Sequence, residues 1–453
     1  MKIQAFVHEG LGNSSYLVEL PGQRAAIVDP DRSVARYLAA AEDRGLAISH
    51  VLETHLHADF ITGAHELFAA SAANILASAT AELRLPHVAL RHGQSMDLDG
   101  LRIEVLASPG HTPEHIAYVL RDANGPPALF SGGSLMAGGA ARTDLIAPEQ
   151  TEALTHAQFR TIHSAFSSLP DETILFPTHG GGSFCAAGAG GERTSTLALE
   201  RATNPLLAMH DEDEFVQWFP TTFPAAPRYF FKLRPINQRG PQLSRQISPP
   251  AELEPAAFQI ATGTAVVIDV RPQVEFMAGH VPGALSNTFR DAFATWLGWL
   301  VPLDTPLLFV LGPEPRQRVL DECLLVGQER FVGVLHGGME AWRAAGLPLA
   351  DAGLADARTA RGELLDGALA LDVREPDEFA TGHIEGALNI PLGSLQEQLA
   401  RLDPLRPVVT YCGHGERSAS ALSILQGAGF GELHNLNGGI DAWKEASYRV
   451  VAD

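Results

Sequence analysis

Short apolar runs alternate with polar segments along the first half of the chain. The runs AAIVD, HVLETH, LRIEVLAS and TILFPTH have the length and composition of strands, and ARYLAAAEDRG, between the first two, has helical periodicity. Each strand-like run ends in a polar or histidine-containing segment. Because open α/β sheets place their sites at the ends of strands, we expect the polar groups of this half to meet at one sheet edge.

The second half contains an internal repeat. AVVIDVRPQVEFMAGHVPGALSN, from Ala265, is matched by ALALDVREPDEFATGHIEGALNI, from Ala368, and HGGMEAWRAAGLPL, from His336, is matched by NGGIDAWKEASYRV, from Asn437. A spacing of roughly 100 residues is the size of a domain and exceeds a solenoid unit. Since strands and helices alternate in each copy, the repeat predicts two tandem α/β domains with parallel sheets.

The pattern divides the chain into four segments. A polar, proline-rich stretch without periodicity, RPINQRGPQLSRQISPP, suits a linker. The predicted segments are a mixed α/β domain at 1–240, a linker at 241–255, and two repeated domains at 256–352 and 358–453.

Composition narrows the class of protein. The chain has 453 residues, 45% hydrophobic and 19% charged, and a formal net charge of −21, which repels nucleic acid and anionic membranes. Its three cysteines cannot form a disulfide framework, and it has neither a signal-peptide pattern nor an apolar run of about 20 residues. We therefore expect a soluble cytoplasmic protein without nucleic-acid or membrane partners.

Four segments at predicted strand ends carry the candidate chemistry of the first domain. They are THLHAD at 54–59, SPGHT at 108–112, FSGG at 130–133 and PTHG at 177–180. Imidazole and carboxylate groups from separate loops at one sheet edge can together bind zinc or iron. The candidate metal ligands are His55, His57, Asp59, His111 and His179. We expect His65 and His115 to make local hydrogen bonds instead.

The combination of THLHAD with SPGHT resembles the metallo-β-lactamase fold, an αββα sandwich. HADFITGAHEL, GHTPEHIAYVL and ARTDL are most similar to the persulfide dioxygenases, which oxidise glutathione persulfide to sulfite with one iron(II) held by two histidines and an aspartate. This resemblance implies that His55 and His111 are the histidines. Gly133 stands where the aspartate should follow the FSG strand end, and Phe60 replaces a histidine of the dinuclear hydrolases.

These two departures leave three alternatives for the first domain. A single metal ion, zinc, binds His55, His57 and His111 plus water, or iron(II) binds His55 and His111 with waters or another carboxylate, or the site is empty. Asp59 and His179 are then remnants of a second metal site. Because a carboxylate favours iron, we expect Gly133→Asp to increase iron retention.

The third domain contains a cysteine at a strand-to-helix junction. PVVTY leads into CGHGERS at 412–418 and then into a helical pattern. Backbone N–H groups of such a loop and the helix N-terminus favour a reactive thiolate. The loop, LDVREPDEFATGHIEGALNIPL and NGGIDAW resemble the rhodanese sulfurtransferases, which carry sulfane sulfur as a cysteine persulfide. The resemblance implies Cys412 as nucleophile, Arg417 as anion-binding group, and the remaining loop residues around the substrate: Gly413, His414, Gly415, Glu416 and Ser418.

The second domain has the same signature without the cysteine. Its matching loop reads LLFVLGPEPR, and the two repeat offsets place either Leu311 or Phe309 at the position of Cys412. Neither can carry sulfur, so we expect a catalytically silent domain that acts as a spacer, a docking surface or a homodimer element. Cys185 and Cys323 are expected to be inert.

These features favour an enzyme of sulfane-sulfur metabolism. Its sulfur donor or acceptor would be a small molecule such as thiosulfate or glutathione persulfide, and its first domain would hold one zinc or iron(II) ion. One alternative is a mononuclear thioester hydrolase of the glyoxalase II type joined to a sulfurtransferase. Another is a non-catalytic binding module joined to a sulfur-carrying rhodanese domain.

Overall fold

The computed structural model describes residues 1–122, 125–187 and 191–452. The chain forms two compact units, Met1–Ile247 with Asp321–Gln328, and Ser248–Leu320 with Glu329–Asp453. Each unit is considered by itself. None of the helices in the described residues is both long and apolar enough to span a membrane.

The first unit is built on two six-stranded sheets, with strand orders β1-β2-β3-β4-β5-β6 and β14-β12-β10-β9-β8-β7. The strands of this unit are β1 (Ile3–His8), β2 (Asn13–Leu20), β3 (Arg24–Val28), β4 (Ala47–Leu52), β5 (Asn74–Ser78), β6 (Val88–Leu90), β7 (Ser95–Leu98), β8 (Leu101–Ala107), β9 (Ile116–Arg121), β10 (Ala128–Gly132), β11 (Ala140–Ala141), β12 (Ile174–Pro177), β13 (Ala186–Ala187) and β14 (Ser195–Thr196). β11 and β13 pair separately.

Helices cover both outer faces of the sheet pair. They are α1 (Ala35–Glu42), α2 (Ala64–Ser71), α3 (Thr151–Arg160), α4 (Leu197–Thr203), α5 (Pro205–Ala208), α6 (Glu212–Trp218) and α7 (Phe230–Arg239). Alternate residues of β2 face opposite sides of the sheet. Tyr16 and Val18 pack between the two sheets, whereas Leu17 packs towards α1 and α2. This period of two is what a sheet with two buried faces requires. The expected αββα sandwich is confirmed.

The segment expected to be a linker is more ordered than the proline pattern indicated. α7 continues through Pro235, and the Asn237 side chain donates to the carbonyl oxygens of His57 (2.8 Å) and Phe60 (2.9 Å). Ala251–Leu253, inside the expected linker 241–255, is a strand of the second unit. Tertiary hydrogen bonds therefore outweigh the local preference of the proline-rich sequence.

The second unit contains two five-stranded parallel sheets, β15-β19-β18-β16-β17 and β20-β25-β24-β21-β23. Its strands are β15 (Ala251–Leu253), β16 (Val266–Asp269), β17 (Leu285–Ser286), β18 (Leu307–Val310), β19 (Phe331–Leu335), β20 (Gly353–Ala355), β21 (Leu369–Asp372), β22 (His383–Ile384), β23 (Leu388–Asn389), β24 (Val408–Tyr411), β25 (Leu433–Leu436) and β26 (Val450–Val451). The identical order of corresponding strands confirms two repeated α/β domains with parallel sheets.

Helices alternate with these strands along the second half of the chain. They are α8 (Pro255–Ala261), α9 (Gln273–Met277), α10 (Phe293–Leu300), α11 (Arg316–Leu325), α12 (Gly338–Ala344), α13 (Ala357–Leu365), α14 (Pro376–Ala380), α15 (Leu395–Gln398), α16 (Glu416–Gly427) and α17 (Gly439–Glu445).

Strand register identifies the residue that replaces the cysteine in the second domain. Asp372 pairs with Tyr411, the residue before Cys412, and Asp269 pairs with Val310 in the same way. Leu311 therefore occupies the position of Cys412, as the downstream repeat offset predicted, and Phe309 lies inside β18.

Candidate metal centre and cysteine loop

The candidate ligands of the first unit come from loops that follow three strands. His55, His57 and Asp59 follow β4, His111 follows β8, and His179 follows β12, while Gly133 follows β10. All five candidate side chains are at most 3% exposed. A buried cluster of this composition requires partners or a bound ion, because unpaired polar groups are costly to bury.

Three histidines form a group without a carboxylate. The ligand atoms of His55, His111 and His179 all lie within 4.8 Å of one another, and Nε2 of His55 lies 3.3 Å from Nε2 of His179. Three imidazole nitrogens that converge on one point form a suitable ligand set for a divalent metal ion.

Hydrogen bonds fix the tautomer of His55. The Thr54 hydroxyl donates its proton to Asp29 (2.7 Å), so this hydroxyl accepts a hydrogen bond from Nδ1–H of His55 (2.8 Å). Nε2 of His55 then carries a lone pair directed at the cluster. A second partner that orients a histidine in this way is typical of metal sites.

His111 is oriented by a backbone carbonyl. Its Nδ1 lies 2.6 Å from the Arg142 carbonyl oxygen, which can only accept, so Nδ1 carries the proton and Nε2 is a free lone pair. Nε2 is buried and has no hydrogen-bond partner. Burial, together with the neighbouring His179, lowers the pKa of His111 to about 3, so the imidazole is neutral and available to bind a cation.

His57 is held by carboxylates. Its Nε2 lies 3.3 Å from both Asp29 and Glu53, and these two acids outweigh burial and raise the pKa of His57 to about 10. Its ring stacks on Phe60, the residue that replaces a histidine of dinuclear hydrolases (4.2 Å between centroids). Phe60 thus packs against the cluster without supplying a ligand.

The grouping differs from the set of three histidines expected for zinc. Among the described residues, the groups with ligand atoms within 4.8 Å are His55 with His111 and His179, His57 with Asp29 and His55, and His57 with Asp59 and His179. Asp59 lies 3.4 Å from Nδ1 of His179, which leaves Nε2 of His179 facing His55. His179, which was expected to be left over from a second metal site, therefore lies in one group with His55 and His111.

The surroundings of Gly133 argue against the expected benefit of Gly133→Asp. An added Cβ would lie 2.8 Å from Cδ2 of His111 and 2.9 Å from Cβ of Ala141, so one of these groups would have to move. The obstacle is this contact and not a positive φ, which occurs at the neighbouring Gly132 (57°). An aspartate here would disturb a candidate ligand before it could become one.

The two histidines expected to be structural have local partners. Nδ1 of His65 lies 2.8 Å from the Pro241 carbonyl oxygen. His115 accepts a hydrogen bond from the Gly133 N–H (3.0 Å) and lies 2.8 Å from the Ser108 hydroxyl. Both ring nitrogens of His115 thus have hydrogen-bond partners within the protein, and the side chain joins the Gly133 loop to Ser108.

In the third domain, the loop between β24 and α16 surrounds a buried thiol. Cys412 is 1% exposed, its Sγ accepts a hydrogen bond from the Gly415 N–H (3.1 Å), and the Ser418 hydroxyl lies 3.6 Å away. Gly415 has φ of 120°, which side chains rarely adopt, so the turn that directs this N–H at sulfur requires glycine. The other loop side chains lie nearby, with His414 exposed and paired to Asp441 (3.2 Å).

Arg417 is engaged by a carboxylate. Nη1 and Nη2 donate to the two oxygens of Glu378 at 2.6 and 2.7 Å. This bidentate pair, together with the Cys412 sulfur, outweighs burial and raises the pKa of Arg417. The predicted anion-binding group is therefore beside the thiol, but its charge is already paired within the protein.

Glu375, beside this pair, gives a testable pH dependence. Burial and the neighbouring acids Glu378 and Asp377 raise its pKa from 4.5 to about 7, against the attraction of Arg417. Between these values the folded chain binds more protons than the unfolded chain, so this group lowers stability as pH rises. Relative to wild type, Glu375→Gln should therefore gain on the order of 1–2 kcal/mol of unfolding free energy between about pH 5 and about pH 8, with allowance for solvent screening.

Urea denaturation of the full chain at several pH values measures this difference. Glu432→Gln, which neutralises an exposed carboxylate of the same domain, is the matched control and should show a smaller change. A gain for Glu375→Gln that is equal at both ends of the pH range would contradict the raised pKa.

The remaining cysteines are unsuited to chemistry. Cys185 and Cys323 are fully buried, and burial raises the pKa of both thiols well above the usual value. They are therefore protonated and poorly nucleophilic.

Several residues that orient the candidate site residues were not identified from the sequence. Asp29, at the end of the strand run AAIVD, and Thr54 orient His55, and Glu378 pairs with Arg417. A buried acid at a strand end was a visible signal for Asp29. The repeat gave no signal for Glu378. Its counterpart Glu275 lies in the silent domain, whose matching loop lacks the cysteine.

Family models match all three domains of the chain. The metallo-β-lactamase superfamily model matches residues 8–205, and the rhodanese-like domain model matches residues 254–345 and 355–446.

Individual relatives support the same architecture. The hydroxyacylglutathione hydrolase of Roseobacter denitrificans is 32% identical over 219 residues, covering 44% of this chain and 84% of that protein. The mitochondrial persulfide dioxygenase of Homo sapiens is 29% identical over 201 residues, covering 43% and 70%. The chain spans 62% and 57% of the length of two further hydroxyacylglutathione hydrolases. A crystal structure of a metallo-β-lactamase from Staphylococcus aureus matches with a TM-score of 0.66 and 27% identity, covering 74% of this chain and 98% of that one.

Proposed function

Because the chain belongs to the metallo-β-lactamase superfamily through its first domain and carries two rhodanese-like domains, we propose that it transfers sulfane sulfur through a persulfide on Cys412 and holds one metal ion on His55, His111 and His179. The observation that carries the sulfur-transfer proposal is the Gly415 N–H directed at Sγ of a cysteine that begins a strand-to-helix loop. Such a donor stabilises the thiolate and the persulfide anion.

The transfer proceeds in two displacement steps. The Cys412 thiolate attacks the outer sulfur of thiosulfate, a new S–S bond forms, and the original S–S bond breaks as sulfite leaves with its electron pair. A cyanide ion or a thiolate then attacks the terminal sulfur of the persulfide, and Cys412 leaves as thiolate. The Gly415 N–H and the α16 N-terminus stabilise the anionic sulfur in both steps.

A mass spectrum of the full-length protein tests this function. After incubation with thiosulfate and removal of excess reagent, the protein should gain the mass of one sulfur atom, and cyanide should remove it. A spectrum without that gain would contradict persulfide formation.

The proposed metal set rests on the prepared lone pairs of His55 and His111 and on the proximity of His179. When bound, a divalent ion supplies Lewis acidity, which polarises a carbonyl group and acidifies water. A set of three imidazole ligands contains no carboxylate, and this composition is typical of zinc sites, whereas non-haem iron oxygenases use two histidines and a carboxylate.

A second candidate function for the first domain is therefore hydrolysis of a glutathione thioester. The observation that favours it is the absence of a carboxylate at Gly133, where an added Cβ would lie 2.8 Å from Cδ2 of His111. The relative named hydroxyacylglutathione hydrolase supports a glutathione thioester as substrate, and the relative named persulfide dioxygenase supports a persulfide. Metal analysis of protein purified without added metal separates the functions: zinc supports the hydrolase, iron supports the dioxygenase, and no metal supports a binding module.

A further inference from the structure

The silent rhodanese-like domain contacts the cysteine loop of the active one. Nε2 of Gln273, the first residue of α9, lies 3.4 Å from the His414 carbonyl oxygen, and its Oε1 accepts a hydrogen bond from Asn435 (2.9 Å). Asn435 also donates to the Gly415 carbonyl oxygen (3.1 Å). A Cβ on Gly415 would lie 2.5 Å from Oε1 of Gln273, so the loop has room for this side chain only because residue 415 is glycine.

Buried hydrogen bonds extend this contact along α16. The Ser286 N–H donates to the Ser423 hydroxyl (3.1 Å), and Nε2 of His280 lies 2.8 Å from Oε1 of Gln426. Ser286 and His280 are fully buried. The silent domain is thus packed directly against the helix whose N-terminus faces the thiol.

Residues 287–290 lie at the same sheet edge as Gln273. The Asn287 N–H donates to the Asp269 carbonyl oxygen (3.0 Å), and the Phe289 N–H donates to the Val270 carbonyl oxygen (2.9 Å). These bonds place Arg290 beside the end of β16 that leads to Gln273. Its guanidinium interacts electrostatically with Glu416, the Cys412 sulfur and Arg417.

Arg290 differs from the other arginines at these strand ends. Arg271 is bound by Asp269, Arg374 by Asp372, and Arg417 by Glu378. Within the described part of the chain, the Arg290 side chain makes no ion pair of its own. It is therefore a cation near Cys412 that no carboxylate holds in an ion pair, although Glu416 and Asp291 attract it.

The active domain has no equivalent of this arginine. The Leu392 N–H donates to the Val373 carbonyl oxygen, as Phe289 does to Val270, so Gly393 corresponds to Arg290. A Cβ on Gly393 would lie 2.4 Å from the Trp299 ring of the silent domain, and no side chain fits there. An arginine at this position of the repeat is thus found only in the silent domain.

We propose that Arg290 of the silent domain binds the anionic group of the sulfur donor at Cys412, so that this domain completes the transfer site. The inference rests on the proposed sulfur transfer at Cys412. It assigns the silent domain a specificity-determining role, selection of donors that carry an oxyanion, such as thiosulfate.

Alkylation of Cys412 in the full-length protein tests the charge effect without requiring transfer. Iodoacetate carries a negative charge and iodoacetamide does not, so the ratio of their rate constants reports the local cation. In Arg290→Gln this ratio should fall about fivefold, the effect of one charge at a partly exposed site. Cys412→Ser gives the background from other groups.

The matched control is Arg330→Gln, which removes an exposed arginine next to the start of β19, at the opposite end of the parallel sheet. It should leave the ratio unchanged, and Arg290→Lys should restore much of it. In thiosulfate-dependent transfer, Arg290→Gln should raise KM about tenfold with kcat within about threefold of wild type. An unchanged alkylation ratio in Arg290→Gln would overturn the proposal, whereas a reduced ratio in a protein that lacks transfer activity would refute only the proposed function.

Discussion

Cys412→Ser should reduce the rate of thiocyanate formation from thiosulfate and cyanide at least about a thousandfold in the full-length protein. The hydroxyl of serine is far less acidic than a thiol and cannot form a persulfide. No other thiol can substitute, because Leu311 occupies the matching position of the silent domain and burial raises the pKa of the two remaining cysteine thiols well above the usual value.

Cys323→Ala is the control for this loss. Cys323 is a buried core residue of α11, so its replacement should leave transfer within about twofold of wild type, although it lowers stability through a small cavity. Unchanged near-ultraviolet and far-ultraviolet circular dichroism spectra of Cys412→Ser establish that the loss is chemical. Transfer retained by the serine variant would show that sulfur is carried elsewhere.

The sequence predicted the parts of the fold that depend on local periodicity and on the repeat. Strands ending at Asp269 and Asp372 were visible because each is an apolar run followed by Val-Arg, and the structure contains both of them. The candidate ligands were visible because they follow predicted strands, and parallel strands bring such loops to one edge.

Contacts between distant segments could not be predicted from the same patterns. The helix that contains Pro235 is tied to the first domain by Asn237, which donates to the His57 and Phe60 carbonyl oxygens, 180 and 177 residues away in sequence. Likewise, the position of Gln273 against the His414 carbonyl depends on how the two repeated domains pack. The periodicity of a helix or strand predicts which of its faces is buried, but it does not predict which other segment packs against that face.

The choice of the third metal ligand was the other point that sequence left open. The spacing of His55 and His57 favours both side chains on one face of an extended segment. In the structure, however, Nε2 of His57 contacts the carboxylates of Asp29 and Glu53. The side chain that instead approaches His55 and His111 is His179, from a loop more than 120 residues away. In the proposed metal set, His179 supplies the third nitrogen, and His57 is left to the two carboxylates.

His179→Ala should therefore abolish stoichiometric metal binding. Loss of one of three protein ligands should lower the affinity for zinc at least about a hundredfold, because the ion would lose an imidazole nitrogen and an oriented partner. After dialysis against equimolar zinc or iron(II), elemental analysis should give about one ion per chain for wild type and less than about a tenth for the variant. The stabilisation that added zinc gives to thermal unfolding should disappear with it, since a ligand stabilises only a state that binds it.

His65→Ala and His57→Ala make this test specific. His65 contacts the Pro241 carbonyl oxygen outside the cluster, so its replacement should leave the metal content unchanged. His57→Ala should keep most of the metal, because Nε2 of His57 faces Asp29 and Glu53, although this variant leaves two buried acids without their cation and will unfold more readily. Full occupancy in His179→Ala combined with loss of metal in His57→Ala would instead establish the set of His55, His57 and His111, and would contradict the proposed role of His179.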